Sequence, residues 1–435
     1  MWADRRVGRA TCRKCRRCVS PGISARPHAF RPSPPHGRRR GRRTRSVADW
    51  ARAAQLFPRT AHMHGKLILV TGGAGFIGSH LADQLLERGY RVRALDDLSP
   101  QVHGENARRP DYLSEGVELL LGDVRDPDAV SRALEGVDAV VHLAARVGVG
   151  QSMYEVERYV SVNGVGTAVL LEALIKRPVE RLVVASSMSI YGEGLYRGPG
   201  GEVVQGSERT DAQLRARSWE VRGPGGEPLS PVPTPETKAP ALPSVYALTK
   251  YDQERLCLTV GRAYGIPTTA LRFFNVYGTR QALSNPYTGV LAIFAARLLN
   301  RRPPLVNEDG LQRRDFVHVQ DVARACLLAL EAPEAAGLAL NVGSGRSFTV
   351  REIAERLATA LGEERIVPEI TGRYRAGDIR HCFADVSLAR RVLGYEPQVA
   401  FDEGLTELCG WLAGQVAHDK VAEASAILAE MGLSR

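Results

Sequence analysis

The chain has 435 residues, of which 44% are hydrophobic and 24% charged, with seven cysteines and a formal net charge of +10. No apolar run approaches the ~18 residues of a membrane-spanning helix, and the cysteines are too few for a disulfide framework. The positive charge lies in residues 1–62, which hold 17 Lys and Arg residues against two acids, so the remaining residues carry a net −5. A mildly acidic body argues against nucleic-acid binding by that body.

Residues 1–62 form a basic arm that we expect to be disordered, because they show neither helical nor strand periodicity. The arm could contact nucleic acid or an anionic surface, serve as an Arg-rich transit peptide, or be translated upstream sequence before a true start at Met63. We favour the last interpretation, since Met63 stands three residues before the first strand. Cys12, Cys15 and Cys18 have no fourth ligand nearby, so no zinc site is expected in the arm.

The first predicted element after the arm is a buried strand at residues 66–71, which runs into a turn containing Gly72, Gly75 and Gly78. Residues 79–88 repeat apolar positions with helical spacing, so the glycines lie on a strand-to-helix turn. Without Cβ atoms the backbone there can approach a pyrophosphate closely, and the helix N-terminus favours its negative charge. This context is typical of a dinucleotide-binding turn.

A second predicted strand, residues 91–95, ends at Asp96 and Asp97. Asp96 follows Gly78 by 18 residues, close to the ~20 expected for the acid that binds the adenosine ribose hydroxyls. A carboxylate at this place repels a 2′-phosphate, so the sequence favours NAD over NADP.

Strands and helices continue to alternate after Asp97, with further strands at residues 118–123, 139–145 and 181–186. This alternation predicts the α/β class, with a Rossmann-type doubly wound parallel sheet. We divide the remaining chain into an NAD-binding Rossmann domain (63–264), a smaller C-terminal α/β substrate-binding lobe with returning segments (265–414) and a C-terminal tail without an assigned role (415–435).

Two residues one helical turn apart, Tyr246 and Lys250, are the strongest candidates for chemistry. A free phenol has a pKa of ~10 and is a poor base at neutral pH. A nearby ammonium and a positive nicotinamide ring would favour the phenolate, which is the pKa tuning that a general base needs. Ser187 follows a strand end, and Asn163 lies in a Gly-rich segment between two strands.

Together these motifs resemble the extended short-chain dehydrogenase/reductase family, which contains the sugar-nucleotide epimerases and dehydratases. The resemblance runs from about residue 66 to about residue 412 and rests on segments 71–80, 142–145, 246–250, 271–278, 314–319 and 375–378. It implies a nucleotide-diphospho-sugar as the substrate, NAD as the cofactor and a homodimer. It also implies an enzyme of nucleotide-sugar metabolism, of the kind that supplies cell-surface polysaccharides. Because Cys257, Cys326, Cys382 and Cys409 are dispersed, we expect a reducing cytoplasm, and from charge and hydropathy we expect no nucleic-acid or membrane partner.

The resemblance assigns roles to individual residues. Tyr246 would be the base, Lys250 its activator and a ribose ligand, Ser187 the hydrogen-bond partner of the reacting hydroxyl, and Asn163 a support for Lys250. The expected cofactor contacts are Gly72, Gly75, Phe76, Ile77, Gly78, Asp96, Asp97, Asp123, Val124, Leu143, Ala144, Ala145, Tyr246 and Lys250, with Asp123 and Val124 at the adenine. The expected substrate contacts are Ser187, Asn275, Arg314, Arg375 and Asp378, of which the last four would hold the nucleotide diphosphate.

The residues after Ser187 separate the reaction classes of this family. Dehydratases carry Asp-Glu there and decarboxylating relatives carry a Glu, whereas this chain has Met188 and Ser189. Removal and return of a hydride, which is epimerisation, or a net redox step therefore remains. In the expected reaction Tyr246 takes the proton of the sugar 4-hydroxyl while the C4 hydride goes to NAD. The 4-keto sugar then turns over, and the hydride returns to its other face.

Segments 280–294 and 303–310 resemble the dTDP-L-rhamnose 4-epimerase branch, which interconverts dTDP-L-rhamnose and dTDP-6-deoxy-L-talose. We therefore expect a 4-epimerase of dTDP-L-rhamnose. The alternatives are a 4-epimerase of UDP-glucose or UDP-N-acetylglucosamine, a sugar-nucleotide reductase or dehydrogenase, and a non-enzymatic NAD-sensing regulator.

The stretch between Ser187 and Tyr246 contains a Gly-rich insertion, residues 193–240, with the same five-residue sequence at 197–201 and 222–226. Relatives in this branch carry Cys-Pro-x-Cys pairs at such places, where this chain has glycines. We therefore expect no metal in the insertion, and we expect it to be a flexible flap near the substrate mouth.

Overall fold

The computed structural model describes residues 65–105, 107–287, 289–375 and 377–434. The predictions for the basic arm, for its three cysteines and for a start at Met63 fall outside these residues.

The first part of the described chain alternates strands and helices. Its elements are β1 (Leu67–Thr71), α1 (Phe76–Glu87), β2 (Arg91–Asp96), α2 (Pro100–His103), β3 (Val117–Leu121), α3 (Pro127–Ala133), β4 (Ala139–His142), α4 (Val149–Ser152), α5 (Val156–Tyr159), a π-helical segment (Val160–Val165), α6 (Gly166–Lys176) and β5 (Arg181–Ser187).

A 3₁₀ turn (Met188–Tyr191) leads into the insertion and then into the rest of the fold. These elements are β6 (Leu195–Arg197), β7 (Val203–Gln205), α7 (Asp211–Arg215), β8 (Ser230–Val232), α8 (Val245–Tyr264), β9 (Thr268–Phe273), β10 (Asn275–Tyr277), α9 (Val290–Leu299), β11 (Leu305–Val306), β12 (Arg313–Arg314), β13 (Phe316–His318), α10 (Val319–Glu331), a 3₁₀ turn (Pro333–Ala335), β14 (Ala339–Val342), β15 (Phe348–Thr349), α11 (Val350–Ala360), β16 (Glu369–Ile370), β17 (His381–Cys382), α12 (Ser387–Leu393), α13 (Phe401–Leu412) and α14 (Val421–Glu430).

Seven of the strands form one sheet in the order β3-β2-β1-β4-β5-β9-β14, and every neighbouring pair is parallel. The predicted Rossmann-type sheet is thus confirmed. From β1 the chain builds outward to β3 and then crosses back to β4 on the other side of β1. This reversal opens a crevice at the carboxyl ends of β1 and β4, the place where such sheets bind ligands.

Side chains of the central strand β1 alternate between two cores, as the period of a strand requires. Val70 packs in one core with Leu81 of α1 and Val322 of α10. Leu69 points to the other face and packs with Leu170 of α6. Full burial of such side chains contributes roughly 1.5–3 kcal/mol each, so helices on both faces hold the sheet.

A smaller lobe has a core of its own, formed mainly by α9, α11 and α13 around Phe294, Leu357 and Phe401. Its short strands pair as β10-β13, β11-β16 and β15-β12-β17. The lobe is built from the C-terminal part of the chain, while β9 and β14 return to the large sheet. The domain boundaries drawn from the sequence remain predictions.

The Gly-rich insertion contains regular secondary structure, and its flexibility remains a prediction. It contains a three-stranded antiparallel sheet, β7-β6-β8, over a small core of Tyr196, Val221 and Leu229. Its two repeated segments form matching turns, closed by the bonds Gly198 N–H to Glu202 O (2.9 Å) and Gly223 N–H to Glu227 O (3.0 Å). The first turn joins the paired strands β6 and β7, and the second closes a single bridge between Arg222 and Pro228.

One stretch of the described residues, Val156–Lys176, has the length and apolar composition of a membrane-spanning helix, and 44% of its most apolar window is buried in the fold. Such length and composition are weak evidence for a span, because core helices share them.

Candidate active site

A cavity of about 470 Å³ lies in the crevice at the carboxyl ends of the parallel strands. Every residue predicted to contact the cofactor lines it, and so do Ser187 and Asn275 from the predicted substrate set. These residues come from the glycine turn after β1, the ends of β2 to β5, helix α8 and strand β10. The sheet thus brings together side chains that are up to about 200 positions apart in the sequence.

The glycine turn after β1 closes tightly on itself at one end of the cavity. Gly72 has a φ of +70°, and a Cβ on Gly78 would lie 2.2 Å from the carbonyl oxygen of Gly72. Larger residues at these two positions would therefore force the turn open. The turn leads directly into the N-terminus of α1, whose dipole favours a phosphate.

Asp96 at the end of β2 is buried and connects this turn to its own strand. One carboxylate oxygen accepts from Ala74 N–H and the other from Leu98 N–H, both at 3.0 Å. Burial raises the pKa of the Asp96 carboxyl above its usual range. The buried acid beside an open helix N-terminus fits a dinucleotide, with the carboxylate at a ribose and the turn at the pyrophosphate.

Asn163 lies at the centre of the π-helical segment and is fully buried. Its amide oxygen accepts from the backbone N–H of Arg146 at 2.7 Å, and its amide nitrogen donates to Thr249 Oγ1 at 3.0 Å. The resemblance assigned it to support Lys250. The structure places it against the residue before Lys250, so any support reaches the lysine through the backbone of α8.

Helix α8 presents both catalytic candidates to the cavity. Ser244 caps the helix by accepting from Ala247 N–H at 3.1 Å, and Tyr246 and Lys250 follow on one face. Lys250 is only 3% exposed, and its ammonium donates to Gln253 Oε1 at 2.7 Å. Tyr246 lies beside the Ser187 side chain in the same cavity.

The predicted substrate residues fall into two groups. Asn275 lines the cavity, and its Oδ1 is buried without a hydrogen-bond partner among the described residues. Such an oxygen is rare in folded proteins and fits an acceptor for a bound ligand. Arg314, Arg375 and Asp378 lie outside the cavity lining.

These three residues cluster around the segment before β17. The Arg314 guanidinium donates to the carbonyls of Arg313 (3.0 Å) and Ile379 and stands 3.8 Å from Asp378 Oδ1. Arg375 is exposed, and its backbone pairs with the backbone of Ser434 in an isolated antiparallel β-bridge. The structure therefore does not bring this group to the cavity with Ser187 and Asn275.

Comparison with known proteins matches residues 68–343 to the sequence model of the NAD dependent epimerase/dehydratase family. The chain belongs to this family. A dTDP-L-rhamnose 4-epimerase of Burkholderia thailandensis is 37% identical over 358 residues, covering 81% of this chain and 96% of the relative. A UDP-glucose 4-epimerase of Mycolicibacterium smegmatis is 34% identical over 345 residues, covering 78% and 96%.

Solved structures of epimerases share the fold. The UDP-glucose 4-epimerase of Thermotoga maritima with UDP-glucose is 32% identical, with a TM-score of 0.65 over 80% of this chain and 98% of that one. The Thermus thermophilus UDP-glucose 4-epimerase in complex with NAD is 33% identical, with a TM-score of 0.63 over 80% and 100%. The predicted family is confirmed, and NAD is the cofactor.

The pKa values of the two catalytic candidates in this family member move in opposite directions. Desolvation in the cavity raises the pKa of the Tyr246 phenol to about 12, and its hydrogen bond with Ser187 opposes this rise. Desolvation lowers the pKa of the Lys250 ammonium to about 8. The expected lowering of the phenol pKa is therefore not produced by the protein groups, because burial outweighs them.

Several residues that line or support the cavity were missed by the sequence analysis. Gln253, three residues after Lys250, carried no signal beyond its helical spacing. Gln101 and Asn285 both line the cavity and bond to each other across it, Nε2 to Oδ1, at 3.2 Å. Asn285 lies within segment 280–294. The resemblance of this segment to the dTDP-L-rhamnose 4-epimerase branch was the sequence signal that could have identified Asn285.

Proposed function

We propose that this NAD-dependent sugar-nucleotide 4-epimerase acts on dTDP-L-rhamnose and converts it to dTDP-6-deoxy-L-talose. The observation that carries the proposal is the neighbouring pair of Tyr246 and Ser187 in the cofactor cavity, with Met188 and Ser189 directly after Ser187. The base and its partner for a hydroxyl are present, whereas the position after Ser187 holds no acid that could drive elimination of water.

Three side chains, Tyr246, Ser187 and Lys250, take part in the proposed proton transfer. When bound, NAD supplies the acceptor and donor for the C4 hydride and a positive ring charge that lowers the pKa of a nearby phenol. Tyr246 takes the proton of the C4 hydroxyl and later returns it. Ser187 holds that hydroxyl by a hydrogen bond, and the ammonium of Lys250 favours the phenolate.

The sugar is proposed from two supporting observations. The relative at 37% identity is a dTDP-L-rhamnose 4-epimerase. The cavity lining also includes the apolar residues Val149, Met188, Phe274, Val290 and Leu291. A 6-deoxy sugar ends in a methyl group, which apolar side chains accept, whereas a buried hydroxymethyl group needs a hydrogen-bond partner.

A second candidate is 4-epimerisation of UDP-glucose or UDP-N-acetylglucosamine. It is favoured by the UDP-glucose epimerases among the relatives and solved structures, at 32–34% identity. The proton chemistry would be the same, and the sugar and nucleotide contacts would differ.

The proposed location is the cytoplasm. The four cysteines of the described residues, Cys257, Cys326, Cys382 and Cys409, are free thiols, as expected in a reducing compartment.

We also propose a homodimer, formed through the helices beside the cavity. Val156 and Val160 are 45% and 44% exposed, and Leu248 on α8 is 51% exposed. The two helical segments are neighbours, since a Cβ on Gly164 would lie 3.4 Å from the carboxylate of Asp252. An exposed apolar face on adjacent helices fits a second copy of the chain.

The test uses three separate reactions, each containing the full chain, NAD and one nucleotide sugar: dTDP-L-rhamnose, UDP-galactose or UDP-N-acetylglucosamine. The sugar in each reaction is followed by NMR. The proposal expects a C4 epimer from dTDP-L-rhamnose. Turnover of a UDP sugar alone would show that the proposed substrate is wrong. Accumulation of reduced cofactor without an epimer would show that the reaction is a net oxidation.

A further inference from the structure

The insertion (193–240) is packed against one segment of the smaller lobe, residues 371–381, here called the arginine loop. The Trp219 ring lies 6.1 Å from the Tyr374 ring, measured between centroids. The hydroxyl of Tyr374 donates to Asp211 Oδ1 at 3.3 Å, and Arg209 Nη2 donates to the Asp378 carbonyl at 2.9 Å. The insertion therefore contacts the arginine loop near its middle and at both sides of Arg375.

The C-terminal end of the arginine loop is held by a charge cluster. Arg380 is fully buried and contacts Glu220 of the insertion (Nε–Oε1, 3.1 Å) and Glu308 of the lobe (Nη1–Oε2, 2.9 Å). The other Glu220 oxygen lies 3.0 Å from His381 Nε2. Arg209 pairs with Glu308 at 2.9 Å, so one carboxylate joins both arginines.

Backbone groups of the arginine loop are held as well. The N–H groups of Arg380 and His381 donate to the Glu193 carboxylate at 2.6 and 3.1 Å. Charge-assisted hydrogen bonds of this kind are strong where water is excluded. The end of the loop is thus fixed by three side chains of the insertion, Glu193, Arg209 and Glu220.

The arginine loop carries Arg375 and Asp378, which the family resemblance assigns to the nucleotide diphosphate. Neither residue lines the cavity, so a diphosphate held by this loop would extend beyond the cavity lining. The loop lies next to the start of α8, because a Cβ on Gly377 would be 3.5 Å from the carbonyl oxygen of Pro243, three residues before Tyr246. Arg314 completes this arrangement by donating to the Arg380 carbonyl at 2.9 Å.

We propose that the insertion is a positioning element for nucleotide binding, in which Arg209, Trp219 and Glu220 hold the arginine loop in place for the diphosphate of the substrate. This inference rests on the proposed function in taking a nucleoside diphosphate as part of the ligand. A loop fixed in advance loses less conformational entropy on binding, so the insertion strengthens binding of the nucleotide. None of the three residues lines the cavity with Tyr246, so the chemical step is unaffected.

The test compares Glu220→Gln and Trp219→Leu with Glu202→Gln in the full chain. Glu202 is a matched control, because its carboxylate folds over its own turn, where a Cβ on Gly198 would meet it at 1.8 Å. Binding of dTDP and of UDP is measured by calorimetry in the presence of NAD, together with kcat, KM, the affinity for NAD and the melting temperature.

The expected result is that Glu220→Gln and Trp219→Leu each weaken dTDP binding and raise KM about three- to tenfold, which is about 0.7–1.4 kcal/mol. The kcat, NAD affinity and melting temperature should stay near the wild-type values, as should every property of Glu202→Gln.

Wild-type affinity for dTDP and UDP in both variants would overturn the inference, and so would a fall in kcat at constant KM. An equal loss of dTDP affinity in Glu202→Gln would show that the effect comes from general loosening of the insertion. This result would also overturn the inference. A wild-type chain that binds neither dTDP nor UDP would overturn the proposed function, and the inference with it.

Discussion

The Lys250 ammonium donates to the amide oxygen of Gln253 at 2.7 Å, so a neutral side chain, not a carboxylate, orients this lysine. The Gln253 amide nitrogen donates in turn to Thr167 Oγ1 at 2.8 Å, which fixes the direction of the amide. Glu254, an acid one helical turn after Lys250, is paired with Arg272 at 2.7 Å. The charge of Lys250 therefore stays available to the phenol of Tyr246.

Replacing Gln253 with Glu tests this relationship. A carboxylate against the ammonium would neutralise it, and Tyr246 would lose the charge that favours its phenolate. We expect the acid limb of the pH profile of kcat/KM to move upward by about one pH unit.

The other titratable groups facing Lys250 are His142, Glu254 and Cys257, and they are unchanged in this variant. Gln84→Glu is the matched control, since Gln84 bonds to Gln320 away from the catalytic helix. If the acid limb of the Gln253→Glu profile is unshifted, residue 253 does not control the charge of Lys250, and Gln253 contributes only to packing.

Replacing Lys250 with Met should abolish turnover and yet stabilise the fold at neutral pH. Burial lowers the pKa of Lys250 from 10.5 to about 8, so the charged form destabilises the folded chain at every pH below about 8. As the pH rises from 8 to 10.5 the folded chain loses this proton before the unfolded chain does, and the penalty disappears.

Urea unfolding at pH 7 should therefore give Lys250→Met a free energy of unfolding higher by about 3 kcal/mol, with the gain vanishing near pH 10.5. Lys66→Met, at a half-buried lysine outside the cavity, is the control. A Lys250→Met variant that is less stable than the wild type at pH 7 would contradict the burial penalty.

Asp96 should determine the choice of cofactor. Its carboxylate repels a 2′-phosphate, so calorimetry should show NAD binding and NADP binding weaker by about 100-fold or more. Asp96→Ser should weaken NAD and narrow the gap between the two cofactors, whereas Asp111→Ser, at an exposed acid outside the cavity, should change neither. Equal binding of NAD and NADP by the wild type would refute this role.

The proposed dimer depends on the exposed apolar face at Val156, Val160 and Leu248. Val160→Glu would bury a charge in that interface and should give a monomer in light scattering after gel filtration. Val367→Glu, at a valine that is 71% exposed elsewhere, should leave the dimer intact. A wild-type chain that is monomeric in the same measurement would contradict the proposed homodimer.

Features set by local spacing could be predicted from the sequence. The glycine turn and Asp96 follow from strand and helix periodicity, and Tyr246 and Lys250 share a face because four residues make about one helical turn. The parallel, doubly wound character of the sheet follows from the alternation of strands and helices, whereas the order of its strands was not predicted. All of these depend on neighbours along the chain.

Features set by distant pairs could not be predicted. Arg380 meets Glu220 and Glu308 across 160 and 72 positions, and nothing in the Gly-rich composition of the insertion indicates a partner so far away. Gln253 was missed because a glutamine on a helix gives no signal of what it bonds to. The place of Arg375 outside the cavity likewise depends on how a distant loop folds back.

The central claim is that one hydride leaves C4 of a sugar nucleotide and returns to the same carbon. The most direct measurement is to incubate the full chain and NAD with dTDP-L-rhamnose deuterated at C4 and to analyse the product by NMR and mass spectrometry. The account predicts the C4 epimer with deuterium retained at C4 and no net change in the cofactor. Loss of the deuterium from C4, or accumulation of reduced cofactor, would contradict it.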